Sequence, residues 1–216
     1  MEHAASDQST TQRDDPRYQR LMQATRDAAR NGYDSVSMRD LAEACRLSMT
    51  TIYQFCQSKD HLIAEAHLEG MEQFRDQVVT RPPKGATAEE RVLRVMRSYA
   101  KALEIDETVS RTLLRAMYSL DPHVTEARVT VGDTYRNMLD VAIGDESITD
   151  RDEKVNALGH VIDSVIVGWL SGRHDATWVR RELESAVHVL LSPTRISTPK
   201  TPQRTPRKVP ARPLRS

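Results

Sequence analysis

The sequence predicts an all-α protein in two parts: a three-helix head at the N-terminal side and a larger helical body behind it. Three observations carry that expectation. Apolar residues recur at three- and four-residue spacing through nearly every segment between residues 16 and 191. Only 8 Gly and 10 Pro occur in 216 residues, and six of the Pro lie beyond residue 192, so long stretches hold no helix breaker. Residues 37–59 read as two short helices joined by a tight turn, too small to bury a core without a third helix behind them.

Each element has a local reason. Residues 1–14 are polar and read as a disordered lead-in. Asp15 and Pro16 start a helix, as N-cap and first position, and Leu21, Ala24, Thr25 and Ala28 line its inner face. Gly32 ends it. Ser37 caps the next helix, with Asp40 in its first turn and Leu41, Ala42 and Cys45 inward. Arg46 and Leu47 make the turn, Ser48 caps again, and Ile52 and Phe55 point in. Met49, Thr50, Thr51, Tyr53 and Gln54 are left largely outside. Ser58 and Lys59 then open a long helix to about residue 79, striped by Leu62, Ala66, Met71, Phe74 and Val78.

Pro82, Pro83 and Gly85 break that helix, and Thr87 with Glu90 forms a capping box for another. Its stripe is Val92, Val95, Met96, Tyr99 and Leu103. A short helix spans about 107–120, and Asp121-Pro122 stops it. The next spans 123–143, with Val124, Ala127, Val131, Tyr135, Met138 and Leu139 inward and Gly144 closing it. Asp150 with Glu153 is expected to cap a helix whose centre, residues 161–170, is apolar nearly all round. A last helix covers about 177–191, with Val179, Leu183, Ala186, Val187 and Leu190 as its stripe. Two such helices suit pairing with their copies as a four-helix bundle. The interface expected is Val161, Val165, Leu183, Val187 and Leu190. Residues 192–216, Pro-rich and basic, read as an extended disordered tail. The predicted division is a lead-in (1–14), the three-helix head (15–66), the helical body (67–191) and the tail (192–216).

The head carries the chemistry. A short capped helix showing small hydroxyls, an amide and an aromatic is the form that enters a DNA major groove. Ser58 and Lys59 put amide dipoles and a cation at one point, a place for a phosphate. The pattern from Ala24 to Ala42 (A-T-x-x-A-A-x-x-G-Y-x-x-V-S-M-R-D-L-A), with Thr51, Tyr53, Ser58, Lys59 and Leu62, resembles the DNA-binding domain of TetR-type repressors over about residues 16–66. Arg46 stands where that family usually has Gly, which calls for a left-handed backbone at some cost, and Cys56 where it usually has Phe. The resemblance implies base contacts from Thr50, Thr51 and Gln54, with Met49 on the same face. It implies phosphate contacts from Tyr53 and Lys59, and contacts to phosphate or a base edge from Ser37 and Arg39. It further implies a homodimer on palindromic double-stranded DNA and a hydrophobic effector in the second domain.

For that effector, Met96, Tyr99, Leu113, Met117, Tyr118, Tyr135, Met138 and Trp169 supply adaptable apolar walls with phenol handles. Residues 115–121 and 163–173 resemble a branch of the family that represses steroid catabolism and answers to a steroid CoA thioester. A CoA thioester would bring its phosphates to Arg91, Arg94, Arg97, Lys101 or Arg111 at the pocket mouth. Competing readings are a multidrug-sensing repressor, an architectural DNA binder without effector control, and a helical adaptor that binds no DNA.

Composition excludes other classes. No phosphate loop, nucleophile elbow or H-E-x-x-H motif occurs, so no enzyme is expected and no cofactor. His61 and His67 are six residues apart, on different helix faces, and imply no metal. Cys45 and Cys56 read as buried thiols of a reduced cytoplasmic protein. No apolar run approaches the roughly 20 residues of a membrane helix. Formal net charge is zero, yet seven cations and no acid lie between Arg195 and the end.

Overall fold

A computed structural model describes residues 13–192; the lead-in over 1–12 and the basic tail over 193–216 lie outside the described residues. Nine α-helices and two 3-10 turns make up the described part, without strands. In chain order the helices are α1 (Pro16–Ala29), α2 (Met38–Cys45), α3 (Met49–Phe55), α4 (Lys59–Thr80) and α5 (Ala88–Ile105). Then come α6 (Glu107–Met117), α7 (Thr125–Ile143), α8 (Arg151–Leu170) and α9 (Ala176–Leu191). The turns cover Tyr33–Ser35 and Pro122–Val124.

The caps fall on the hydroxyls and carboxylates expected to supply them. Asp15, Ser37, Ser48, Ser58 and Thr87 each accept a backbone N–H of the helix they precede. A cap of this kind is worth about 1 kcal/mol. Glu90 returns its carboxylate to the Ala86 N–H at 2.8 Å rather than to Thr87, one residue off the expected box. Arg46 adopts the left-handed conformation (φ 54°) that lets α2 turn into α3, at a cost of roughly 1–2 kcal/mol for a side chain there.

Three boundaries differ from expectation. α6 stops at Met117 because Arg128 of α7 takes the Met117 and Ser119 carbonyls, each at 2.8 Å, and fixes the chain in a turn. α7 begins only after the 3-10 turn Pro122–Val124. Asp150 makes no side-chain cap; it sits at φ 55°, and Arg151 instead ties α8 to the Gly144 carbonyl (2.8 Å) and the Asp140 carboxylate (3.0 Å).

Two buried clusters divide the apolar residues. The first holds α1, α2 and α3 together through Tyr18, Leu21, Met22, Leu41 and Ile52, with Cys45 and Cys56 buried as free thiols. The second fills the body from Met71 through Trp169 to Val187. α4 belongs to both: Leu62, Ile63 and Ala66 face the head, Ala64 and Leu68 the body. Leu113 and Ala116 of α6 also pack under the head. α8 and α9 meet closely at Gly168, where an added Cβ would lie 3.2 Å from the His174 ring and 3.4 Å from Trp178.

Candidate functional site

The recognition surface is built by α3 and its flanks. Ser48 Oγ accepts the Thr51 N–H at 3.0 Å and shares a 2.8 Å hydrogen bond with the Thr51 hydroxyl, which fixes the first turn of α3. Ile52 is fully buried and anchors the helix. Thr50, Tyr53 and Gln54 are exposed, Thr51 is half-buried, and Met49 is half-buried against the head core. Arg39 is exposed on the first turn of α2, beside Ser37, whose hydroxyl is already the cap of that helix. Arg39 on the first turn of α2, and Thr50, Tyr53 and Gln54 along α3, are thus open to solvent.

The start of α4 is different from expectation. Lys59 Nζ lies 4.1 Å from the Tyr33 ring centroid, and Arg115 covers the same ring at 4.0 Å. The Ser58 hydroxyl donates to Asp121, while Asp60 accepts from both the Tyr33 and Ser119 hydroxyls. Two carboxylates thus already face this helix N-terminus, which favours negative charge. The Ser58 hydrogen bond holds the Asp121 carboxyl below its ordinary pKa, helped by the His123 backbone N–H. The phosphate site expected from Ser58 and Lys59 together reduces to the Lys59 ammonium, which pairs with no carboxylate among the described residues.

A second site lies inside the body, a cavity of about 110 Å³ among α4, α5, α6, α7 and α8. Leu114, Met117, Val131, Ile162 and Ile166 give it apolar walls. His67, Tyr99, Tyr118, Tyr135, Arg128 and Asp163 give it polar ones. Four of the eight expected pocket residues are there: Tyr99, Met117, Tyr118 and Tyr135. Met96, Met138 and Trp169 do not line it; they are core, at most 1% exposed. Leu113 is one helical step away from Leu114 and faces the head. His67, Arg128 and Asp163 gave no signal, since each is one of several polar residues on its helix and spacing does not say which of them reaches a cavity. Tyr99 and Tyr135 meet edge to face at 5.4 Å. The Tyr118 hydroxyl donates to Asp163 at 3.3 Å. An outer groove of about 300 Å³ between α7 and α8 shares Gly132, Tyr135, Ile162 and Asp163 with this cavity.

None of the cations expected at a pocket mouth lines this cavity, although Arg94 and Arg97 line a separate groove of about 1020 Å³ between α4 and α5. Arg91 ties the Ala142 and Ile143 carbonyls, at 2.7 and 2.6 Å. Arg97 pairs with Glu184, and Arg111 with Glu107 while stacking on Trp169. Arg94 and Lys101 are exposed and do not line the cavity. On the last two helices, Val165, Leu183 and Val187 are buried within their own subunit at 4%, 0% and 0% exposure. They are core residues here, not an outer face; Val161 and Leu190 are half-buried, and Val167 and Val189 are exposed.

Comparison with known proteins agrees with this architecture. Residues 21–66 match the family model for bacterial regulatory proteins of the tetR family, and residues 85–190 the tetracyclin repressor-like C-terminal domain. The chain belongs to the TetR family. As in other members, the helix-turn-helix is the DNA-binding part of a transcriptional regulator, not of an enzyme. The chain is 28% identical to the HTH-type transcriptional repressor KstR of Rhodococcus jostii, over 81% of this chain and 82% of that one. It is 26% identical to KstR of Mycolicibacterium smegmatis, over 81% and 87%. Among solved structures, a TetR regulator from Rhodococcus sp. RHA1 superposes with TM-score 0.71 at 18% identity, over 84% of this chain and 97% of that one. FadR from Bacillus subtilis, solved with stearoyl-CoA, superposes with TM-score 0.62 at 18% identity, over 81% and 98%. These last two likenesses concern the TetR fold.

Proposed function

We propose that the protein is a homodimeric repressor that binds a palindromic operator and is released when an apolar effector enters the cavity between α4 and α8. Thr50, Thr51 and Gln54 read base edges, and Ser37, Arg39, Tyr53 and Lys59 hold phosphates, with Met49 supporting α3 from below. The dimer forms over the outer faces of α8 and α9, where Val161, Val167, Val189 and Leu190 lie, on cores made by Val165, Leu183 and Val187. Its place of action is the cytoplasm.

One observation carries the effector control. Met117, Tyr118 and Arg128 line the cavity, and the segment they shape, residues 118–121, grips the start of α4 through Ser119 to Asp60 and Asp121 to Ser58. α4 follows the recognition helix directly. A ligand that displaces Tyr118 or Arg128 therefore shifts the bond pattern that sets the angle of the head. At about 110 Å³ the cavity is below the roughly 300–1,000 Å³ of drug-sized sites, so an effector has to enlarge it on entry. Moving the wall it shares with the outer groove would merge the two spaces into room for an acyl chain or a steroid body. Arg128 and Arg136, which line these spaces, would then meet the phosphates of a CoA thioester. The runs at 115–121 and 163–173, which resemble a steroid-catabolism repressor, support a steroid-like member of that class, and FadR, of the same fold, was solved with stearoyl-CoA.

Such coupling typically changes affinity 5–150-fold. Stearoyl-CoA or a steroid CoA thioester at saturation should lower operator affinity of the wild type within that range. A Ser119→Ala/Asp121→Ala double variant should bind the same ligand but keep its operator. Full release from the double variant, in a titration by fluorescence anisotropy, would remove this loop from the mechanism. Binding of neither thioester, with cationic drugs accepted instead, would favour the multidrug reading.

A further inference from the structure

The cavity holds two polar atoms that no protein group satisfies. Tyr99 Oη and His67 Nε2 are both buried without a hydrogen-bond partner, in residues only 3% and 7% exposed. The Tyr135 phenol makes a hydroxyl contact with Tyr99 that shifts the ionisation of both, but it is too long to count as a formed hydrogen bond, so Tyr99 Oη keeps no partner at bonding distance. Buried donors and acceptors are almost always paired, because an unpaired one forfeits its hydration. Packing alone does not call for a polar group at either place. His67 sits on the body side of α4 among Ala64, Leu68 and Met71, where an apolar residue would pack without that loss. The Trp169 indole N–H is also unpaired but lies in packed core; only His67 and Tyr99 share the wall of a cavity, where there is room for a partner from outside the chain.

We infer that His67 and Tyr99 together recognise an uncharged oxygen, a hydroxyl or ketone, at the buried end of an otherwise apolar ligand. This rests on the effector reading above and narrows it. Burial keeps the His67 imidazole neutral, with its pKa pushed down to about 4, and pushes the Tyr99 phenol up to about 12. Both groups are therefore neutral dipoles at physiological pH. A carboxylate or ammonium at this end would lose its hydration without a counter-charge. A plain hydrocarbon end would leave both atoms unpaired, as a site built for a hydroxyl discriminates against an analogue lacking it. The charged residues on the cavity, Arg128 and Asp163, lie on α7 and α8 with Tyr118 bonded to Asp163, and balance each other in sign.

Simple aliphatic probes are enough to test this, whatever the natural effector. The full chain is titrated with decan-1-ol, decane, decanoate and decylammonium, delivered from cyclodextrin and followed by thermal shift and calorimetry. The alcohol should bind at least tenfold tighter than the alkane and both ions. In Tyr99→Phe and in His67→Leu that preference should fall to about twofold. The ligand-free variants should melt at or above the wild-type temperature, since each loses an unpaired polar group rather than a bond. A fall of several degrees in Tyr99→Phe would show that the hydroxyl serves the core and would overturn the inference. So would equal binding of alcohol and alkane, or failure of every probe to bind. If alcohol and alkane release operator DNA equally well, the effector site stands and the polar recognition falls. If the alcohol is preferred through His67 and Tyr99 but operator affinity never changes, the recognition stands and the effector reading falls.

Discussion

Leu183→Asp should unfold the body of the protein rather than release folded monomers. Leu183 is fully buried in α9 and packs in the cluster that also holds Val179, Val187 and Trp169. α9 lies against α5 and α8, so the aspartate would replace packing on two sides. Losing a buried leucine costs about 2–5 kcal/mol, and an unpaired carboxylate adds several more. Total stability of a domain is about 5–15 kcal/mol, so the sum is comparable to all of it. Urea unfolding followed by circular dichroism should show no cooperative transition. Val189→Asp is the contrast: Val189 is 76% exposed in the single chain, so the fold should survive. If α9 presents its outer face to a partner, that variant sediments as a folded monomer. A folded monomer from Leu183→Asp would move the interface inward and contradict the core placement.

Gln54→Ala and Lys59→Ala should separate sequence reading from phosphate attraction. Gln54 is exposed on α3 and carries an amide suited to a base edge, worth about 1–3 kcal/mol of discrimination per contact. Its loss should weaken the operator by about tenfold or more while leaving non-specific DNA unchanged. Lys59 instead contributes charge. Its removal should weaken all DNA about equally and lower the slope of log affinity against log salt by about one per subunit. The ammonium rests on Tyr33 in the free protein, so it must leave that ring to reach a phosphate. An unchanged salt slope would mean that it stays there.

The head was legible in the sequence because its signals are local. Ser37, Ser48 and Ser58 each sit one residue before their helix, and caps act within a single turn. Arg46 in the turn between α2 and α3 pointed to a left-handed residue, which the structure has. Helical spacing likewise gave the inner stripes of α4, α5, α7 and α9. What stayed hidden depends on residues far apart in the chain. Periodicity says that Tyr99 and Met138 point inward, but not that one lines a cavity and the other fills core. It cannot tell that Leu183 is covered by α5 and α8 of its own subunit, since an apolar stripe looks the same against either neighbour. His67 entered the sequence reading only as one of two histidines spaced wrongly for a metal. Its role depends on Tyr99, which is brought to the same cavity from another helix. Asp60 belongs to the first turn of α4, but Asp121 lies 61 residues further on, and only the fold brings it to the same helix start.

Everything proposed for the function depends on α3, held by the head, reading a two-fold operator. The direct measurement is capture of fragmented genomic DNA on the purified protein, followed by sequencing, with the wild type and Gln54→Ala side by side at physiological salt. The wild type should enrich a small set of fragments sharing an inverted repeat whose half-sites lie about one helical turn, or a multiple of it, apart. Gln54→Ala should lose that enrichment or shift it at one base pair in each half-site. Fragments with no common motif from the wild type, or an identical motif recovered at equal strength by the variant, would contradict the account.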